Sequence, residues 1–119
     1  MRTERLRSAI REAISDVLHQ QLKDPRVGGL VSVTEVELSR DHKVGVVHVS
    51  VMGDETARER ALEGLERARG FIRTELARRF RLRQVPELAF RLDRSIERGA
   101  RVLELLAQEA ARRDPGDGD

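Results

Sequence analysis

The chain has 119 residues, enough for one domain that buries its own apolar core. It contains no cysteine, which excludes disulfides and thiolate metal sites, and no apolar run approaches the roughly 20 residues that a membrane span needs. Its 23 basic and 21 acidic residues leave a formal net charge of only +2. The isoelectric point near 9.9 therefore reflects how few groups titrate above neutrality: there is no tyrosine, and Lys23 and Lys43 are the only lysines, while arginine stays charged far beyond that range.

Charge is unevenly placed. Arginines 67, 69, 73, 78, 79, 81 and 83 stand against Glu75 alone in that stretch. Arg2, Arg5, Arg7 and Arg11 add to the N-terminus, and Asp54, Glu55, Glu59, Glu63 and Glu66 gather before the arginine run. A basic cluster of this density attracts phosphate; a solvated helix face would carry the same residues. The charged stretch Met1 to Arg11 has no apolar signal core, so a soluble, cytoplasmic protein is expected.

Residues 3 to 22 predict an amphipathic helix, with Leu6, Ala9, Ile10, Ala13, Ile14, Val17, Leu18 and Leu22 on one face. Pro25 ends it, and Gly28 and Gly29 follow in a loop. Residues 30 to 38 and 43 to 51 predict two strands joined by the short polar link Ser39-Arg40-Asp41-His42. In the first strand Val31 and Val33 fall out of alternation with Val36 and Leu38, which marks a bulge. Residues 55 to 80 predict helix, with Asp54 as its cap and a stripe of Ala57, Ala61, Leu65, Ala68, Ile72, Leu76 and Phe80. One straight helix would be about 39 Å long, against a radius of gyration near 13 to 14 Å for a compact domain. Gly70, which costs about 1 kcal/mol relative to alanine in a helix, places a kink or break at Ala68-Arg69-Gly70. Leu88, Phe90 and Leu92 alternate with polar neighbours as a third strand. Ser95 caps a last helix, about 96 to 111, carrying Ile96, Leu103, Leu106, Ala107 and Ala110. The single domain spans residues 1 to 111, and 112 to 119 form a disordered tail. The fold class is α+β, with helices on one small sheet in two layers.

No catalytic constellation is visible. His19 reads as a surface residue beside glutamines, Asp41 is explained by its turn, and His48 has no acid at ligand spacing. Phe71, Phe80 and Phe90 are the only aromatic residues; all three fit apolar faces, so base stacking on an aromatic platform is not expected.

Several segments in order carry a resemblance. They are Lys23-Asp24-Pro25-Arg26-Val27-Gly28, then Val31-Ser32-Val33-Thr34-Glu35-Val36-Glu37-Leu38-Ser39-Arg40-Asp41 and the valine strand. Ala68-Arg69-Gly70-Phe71-Ile72-Arg73 follows, then Leu82-Arg83-Gln84-Val85-Pro86-Glu87-Leu88-Ala89-Phe90, and Asp93 and Ser95 before a helix holding Gly99. Together they resemble the ribosome-binding factor A family over roughly residues 5 to 107. His42 and Gly45 depart from its pattern, which has an apolar residue and an alanine there.

The resemblance implies a KH-like domain of the type with strands before the helix pair. An Ala-x-Gly kink replaces the Gly-x-x-Gly loop of ordinary KH domains, and Ala68-Arg69-Gly70 matches it. It implies a non-enzymatic, monomeric factor that binds the small (30S) ribosomal subunit, its 16S rRNA and the precursor. Such a factor assists late maturation and rRNA processing and is linked to cold adaptation. No cofactor or metal is implied. The RNA surface would comprise Ala68, Arg69, Gly70, Arg73, Arg78, Arg79, Arg81 and Arg83, with Arg26 and Lys23. Gly70 would let a nucleic-acid backbone approach, and the guanidinium groups suit phosphate. The residues alone leave Gly70 open to a packing role, Arg67 open to pairing with Glu63, and Arg26 open to ordering its own loop. Two other readings are a protein adaptor whose basic face meets an acidic partner and a hydrolase using Asp41 and His48.

Overall fold

The computed structural model describes residues 3–22, 27, 30–82, 84–93 and 95–113. Helix α1 (Thr3–Asp16) continues into a π-helical turn, Val17–Gln21; strands β1 (Val31–Leu38) and β2 (Val44–Val51) follow, then α2 (Glu55–Phe80), β3 (Glu87–Leu92) and α3 (Ser95–Arg113). The three strands form one sheet in the order β1-β2-β3. The β1–β2 pair is antiparallel and the β2–β3 pair parallel. Helices α1 and α2 pack on one face of the sheet. Burial of Val31, Val36, Val47, Val49, Leu88 and Phe90 from the sheet against Ile10, Ile14, Val17, Leu18, Ala61, Leu65, Ile72 and Leu76 from the helices builds the core. This is the expected α+β, two-layer arrangement.

The alternation slip in β1 is a bulge. Val33 pairs with Val49 and Glu35 with His48, which leaves Thr34 out of register. Its hydroxyl bonds the His48 carbonyl oxygen at 3.2 Å and Asp93 Oδ2 at 2.6 Å, so the extra residue is held between β2 and the end of β3. The hairpin loop is also as the polar link requires. Asp41 Oδ1 accepts from Ser39 Oγ at 2.7 Å and from the Lys43 amide at 3.0 Å. These bonds, the Ser39 hydroxyl first, hold the Asp41 carboxyl below the ordinary aspartate range. His42 turns the chain in the left-handed region at φ 59.

Three expectations need correction. The first helix does not stay α-helical to residue 22: the Leu22 amide bonds the Val17 carbonyl at 3.0 Å, five residues back, which widens the last turn. Val17 and Leu18 are thereby both buried, and His19 Nε2 reaches the carbonyl of Val31 at 2.8 Å, so this surface histidine also ties α1 to the start of β1.

The expected helix pair is a single element of 26 residues, α-helical through Ala68, Arg69 and Gly70. Asp54 caps it as expected, accepting from the Ala57 amide at 2.9 Å. Ala61, Leu65, Ile72 and Leu76 keep one buried face on both sides of Gly70, and that continuous burial outweighs the propensity cost of one glycine.

Finally, α3 starts at Ser95 itself and runs to Arg113, past the expected end at 111. Residues 114–119 lie outside the described set. Val102, Leu103, Leu105 and Leu106 are exposed on α3.

Candidate nucleic-acid interface

The second half of α2 carries the arginine run, and helical geometry divides it into faces. Ala68, Ile72, Leu76 and Phe80 turn toward the core, with Ile72 and Leu76 fully buried. Arg67, Gly70, Phe71, Thr74 and Arg78 recur at helical spacing on the opposite side, and all five are exposed. Arg81 closes this face. It is exposed and caps the helix in the left-handed conformation, φ 52.

The expected site residues do not share one environment. Arg73 turns inward, its Nε donating to the Pro86 carbonyl at 3.1 Å and its terminal nitrogen to the Val85 carbonyl at 3.0 Å; Glu87 lies 3.5 Å away. Arg79 crosses to α1, where a terminal nitrogen bonds Asp16 Oδ2 at 3.5 Å. Both side chains therefore serve tertiary contacts, α2 to the β3 approach and α2 to α1. Arg69 pairs with Glu66 on its own helix. Arg78 bonds Glu75 Oε2 at 2.7 and 3.0 Å yet keeps 65% of its side chain exposed, so it presents charge outward. Ala68 is half-buried against the core. Arg83, Arg26 and Lys23 lie outside the described residues.

At Gly70 a β-carbon would meet nothing within 4 Å. Among the described residues no packing contact requires the glycine, and the surface there is open. The Thr74 hydroxyl bonds the Gly70 carbonyl at 3.0 Å, which leaves the carbonyl satisfied.

Sequence reasoning misses Phe71. Its apolar ring suits the core, but it is 45% exposed between Arg67 and Thr74. The signal lies in the stripe itself: Ile72 belongs to the buried face, and its neighbour is turned about 100° away around the helix.

A second correction lies on the uncovered face of the sheet. The bulge at Thr34 turns Glu35 and Glu37 to the same side as His48, and one ligand atom from each of the three lies within 4.8 Å of the others. His48 Nε2 sits 2.5 Å from Glu37 Oε1. The acid expected to be missing beside His48 is supplied by the neighbouring strand. Arg91 is the β3 partner of His48 in register. This face is thus a mixed-charge surface, unlike the arginine face of α2.

Known proteins are similar to this chain in sequence and in arrangement. Residues 2–106 match the family model described as Ribosome-binding factor A. A protein of that name from Acetivibrio thermocellus is 47% identical over 98% of this chain and 98% of its own length. One from Dictyoglomus thermophilum is 45% identical over 90% of this chain and 89% of its own. Among solved structures, the crystal structure of ribosome-binding factor A from Thermus thermophilus superposes with a TM-score of 0.70. It is 35% identical, and the match covers 79% of this chain and 98% of that one. A homology model of the Thermus thermophilus factor, fitted into a cryo-EM map of its complex with the 30S subunit, superposes with a TM-score of 0.62. That match is 36% identical and covers 74% of this chain and 91% of the other.

Proposed function

From the premise that this chain belongs to the ribosome-binding factor A family, we propose that it is a non-catalytic assembly factor for the small ribosomal subunit. It binds 16S rRNA, or its precursor, through the exposed face of α2 and assists late maturation and rRNA processing. The observation that carries the reading is the exposed row Arg67, Gly70, Phe71, Thr74 and Arg78, ending at Arg81, in a chain whose structural neighbour is fitted in a complex with the 30S subunit. Arginine forks suit phosphate, and the open surface at Gly70 leaves room for a nucleic-acid backbone. Affinity then comes mainly from charge and shape.

The domain acts as a KH-like unit in this reading, supported by the element order. Arg26, Lys23 and Arg83 add charge, as do Arg69 and Arg78 from the helix. Arg73 and Arg79 hold that helix in place. The protein works as a cytoplasmic monomer. Its sequence carries no nucleotide-binding loop, so release follows from maturation of the subunit or from another factor.

Co-sedimentation of the purified protein with ribosomal fractions tests this. Association with free small subunits, absence from full ribosomes and weakening by salt are expected. Absence from free small subunits would leave the family's fold with a different partner. Binding that survives nuclease treatment would favour the adaptor reading.

A further inference from the structure

We propose that Phe71 is a stacking platform for one unpaired base of the RNA that α2 binds; the proposal rests on the functional reading above and names what the centre of that surface recognises. The chain holds three phenylalanines and neither tyrosine nor tryptophan. Phe90 is buried and Phe80 packs against the core, whereas Phe71 is 45% exposed. Its own helix shows the contrast: Leu65, Ile72 and Leu76 are fully buried on the other side. Nearly half of the Phe71 side chain thus stays open to an outside partner.

Its surroundings select the partner. Arg67 lies one turn before it, Thr74 one turn after, and Arg78 a further turn on, all exposed on the same face. The preceding residue, Gly70, has nothing within 4 Å of where a β-carbon would be, so the surface beside Phe71 along the helix carries no side chain there. The described neighbours on this face, Arg67, Thr74 and Arg78, are cationic and polar, which suits the charged RNA of the functional reading above. A nucleobase needs one exposed ring, and its flanking phosphates need cations beside it. Paired bases within an RNA helix do not offer their faces, so the target is an unpaired nucleotide in a loop, bulge or strand end.

The absence of any native tryptophan or tyrosine gives a clean test. In the full chain, Phe71→Trp places the sole strong fluorophore at the site. On titration with purified small subunits, with the emission of the parent chain at the same subunit concentration subtracted, it should bind like the parent and its emission should be quenched by base stacking. Phe71→Leu keeps an apolar side chain and removes the ring. It should melt like the parent and bind small subunits about tenfold to a hundredfold more weakly.

Parental binding by Phe71→Leu, alongside weakened binding by the double variant Arg67→Glu and Arg78→Glu, would overturn the stacking role and leave the arginine surface standing. Parental binding by both would remove the surface itself. Brighter, blue-shifted emission from Phe71→Trp on binding would mean an apolar protein pocket and would overturn the assignment to RNA.

Discussion

The Arg73 guanidinium donates to the Val85 carbonyl at 3.0 Å, across the turn that leads from α2 into β3. A second bond to the Pro86 carbonyl at 3.1 Å makes the contact a fork. A charged side chain from the helix thus satisfies two carbonyls of that turn. Arg73→Ala should therefore lower stability by about 1 to 3 kcal/mol, read from urea unfolding. Any loss of subunit binding by this variant should track its unfolded fraction. Full stability would return Arg73 to the binding surface.

Arg67, Arg78 and Arg81 are the better probes of binding, since each is exposed on α2 or at its end. The triple change to glutamate should leave the melting curve within a few degrees of the parent, because exposed pairs contribute about 0 to 1 kcal/mol. It should also flatten the salt dependence of small-subunit binding, each lost phosphate contact removing roughly one unit of slope. An unchanged slope in a folded triple variant would place the RNA elsewhere.

Gly70 separates stability from function. Its β-carbon position is empty within 4 Å, so Gly70→Ala should stabilise the protein by about 1 kcal/mol. The same methyl group stands where the RNA backbone is expected, so co-sedimentation with small subunits should weaken. Greater stability with unchanged binding would mean that the RNA does not approach this residue.

Gly45 offers a stability change alone. On the buried face of β2, its β-carbon would lie 3.4 Å from Leu38 and Leu88 side-chain carbons and 3.7 Å from Pro86. Those are ordinary van der Waals distances, and glycine within a strand is costly. Gly45→Ala should therefore stabilise by about 0.5 to 1 kcal/mol, checked by chemical denaturation, with subunit binding unaltered.

The hairpin loop predicts a pH effect of definite sign. Bonds from Ser39 Oγ and the Lys43 amide depress the Asp41 carboxyl. A depressed acid contributes stability above its unfolded titration range and loses it as pH falls through the lower, folded value. A carboxyl-detected NMR titration should therefore find Asp41 below the ordinary aspartate range. Ser39→Ala should move it upward, toward that range.

What the sequence disclosed follows from which interactions are local. The bulge at Thr34, the Asp54 cap and the alternation of β3 are written in neighbouring residues, and the structure carries all three. Pairings between distant segments were not legible. Nothing near His48 in sequence indicates Glu37, eleven positions earlier, 2.5 Å from its ring. Nothing near Arg73 indicates that Val85 and Pro86 will claim its donors. Arginines on one helix look alike as letters, and tertiary contact divides those that hold the fold from those that face outward. At Gly70 the local cue does not produce a break, since helix propensity is a small term beside the burial of Leu65 and Ile72 on either side of it.

The parallel pairing of β2 with β3 also sets a timetable for the chain during synthesis. The β1–β2 hairpin closes through local pairs such as Leu38 with Gly45, whereas Val47 of β2 waits for Phe90. All of α2 must be made before that partner exists. Until then the valine-rich β2 stands as an open edge, with unpaired N–H and C=O groups available to any other extended chain. The slow, long-range step thus comes last.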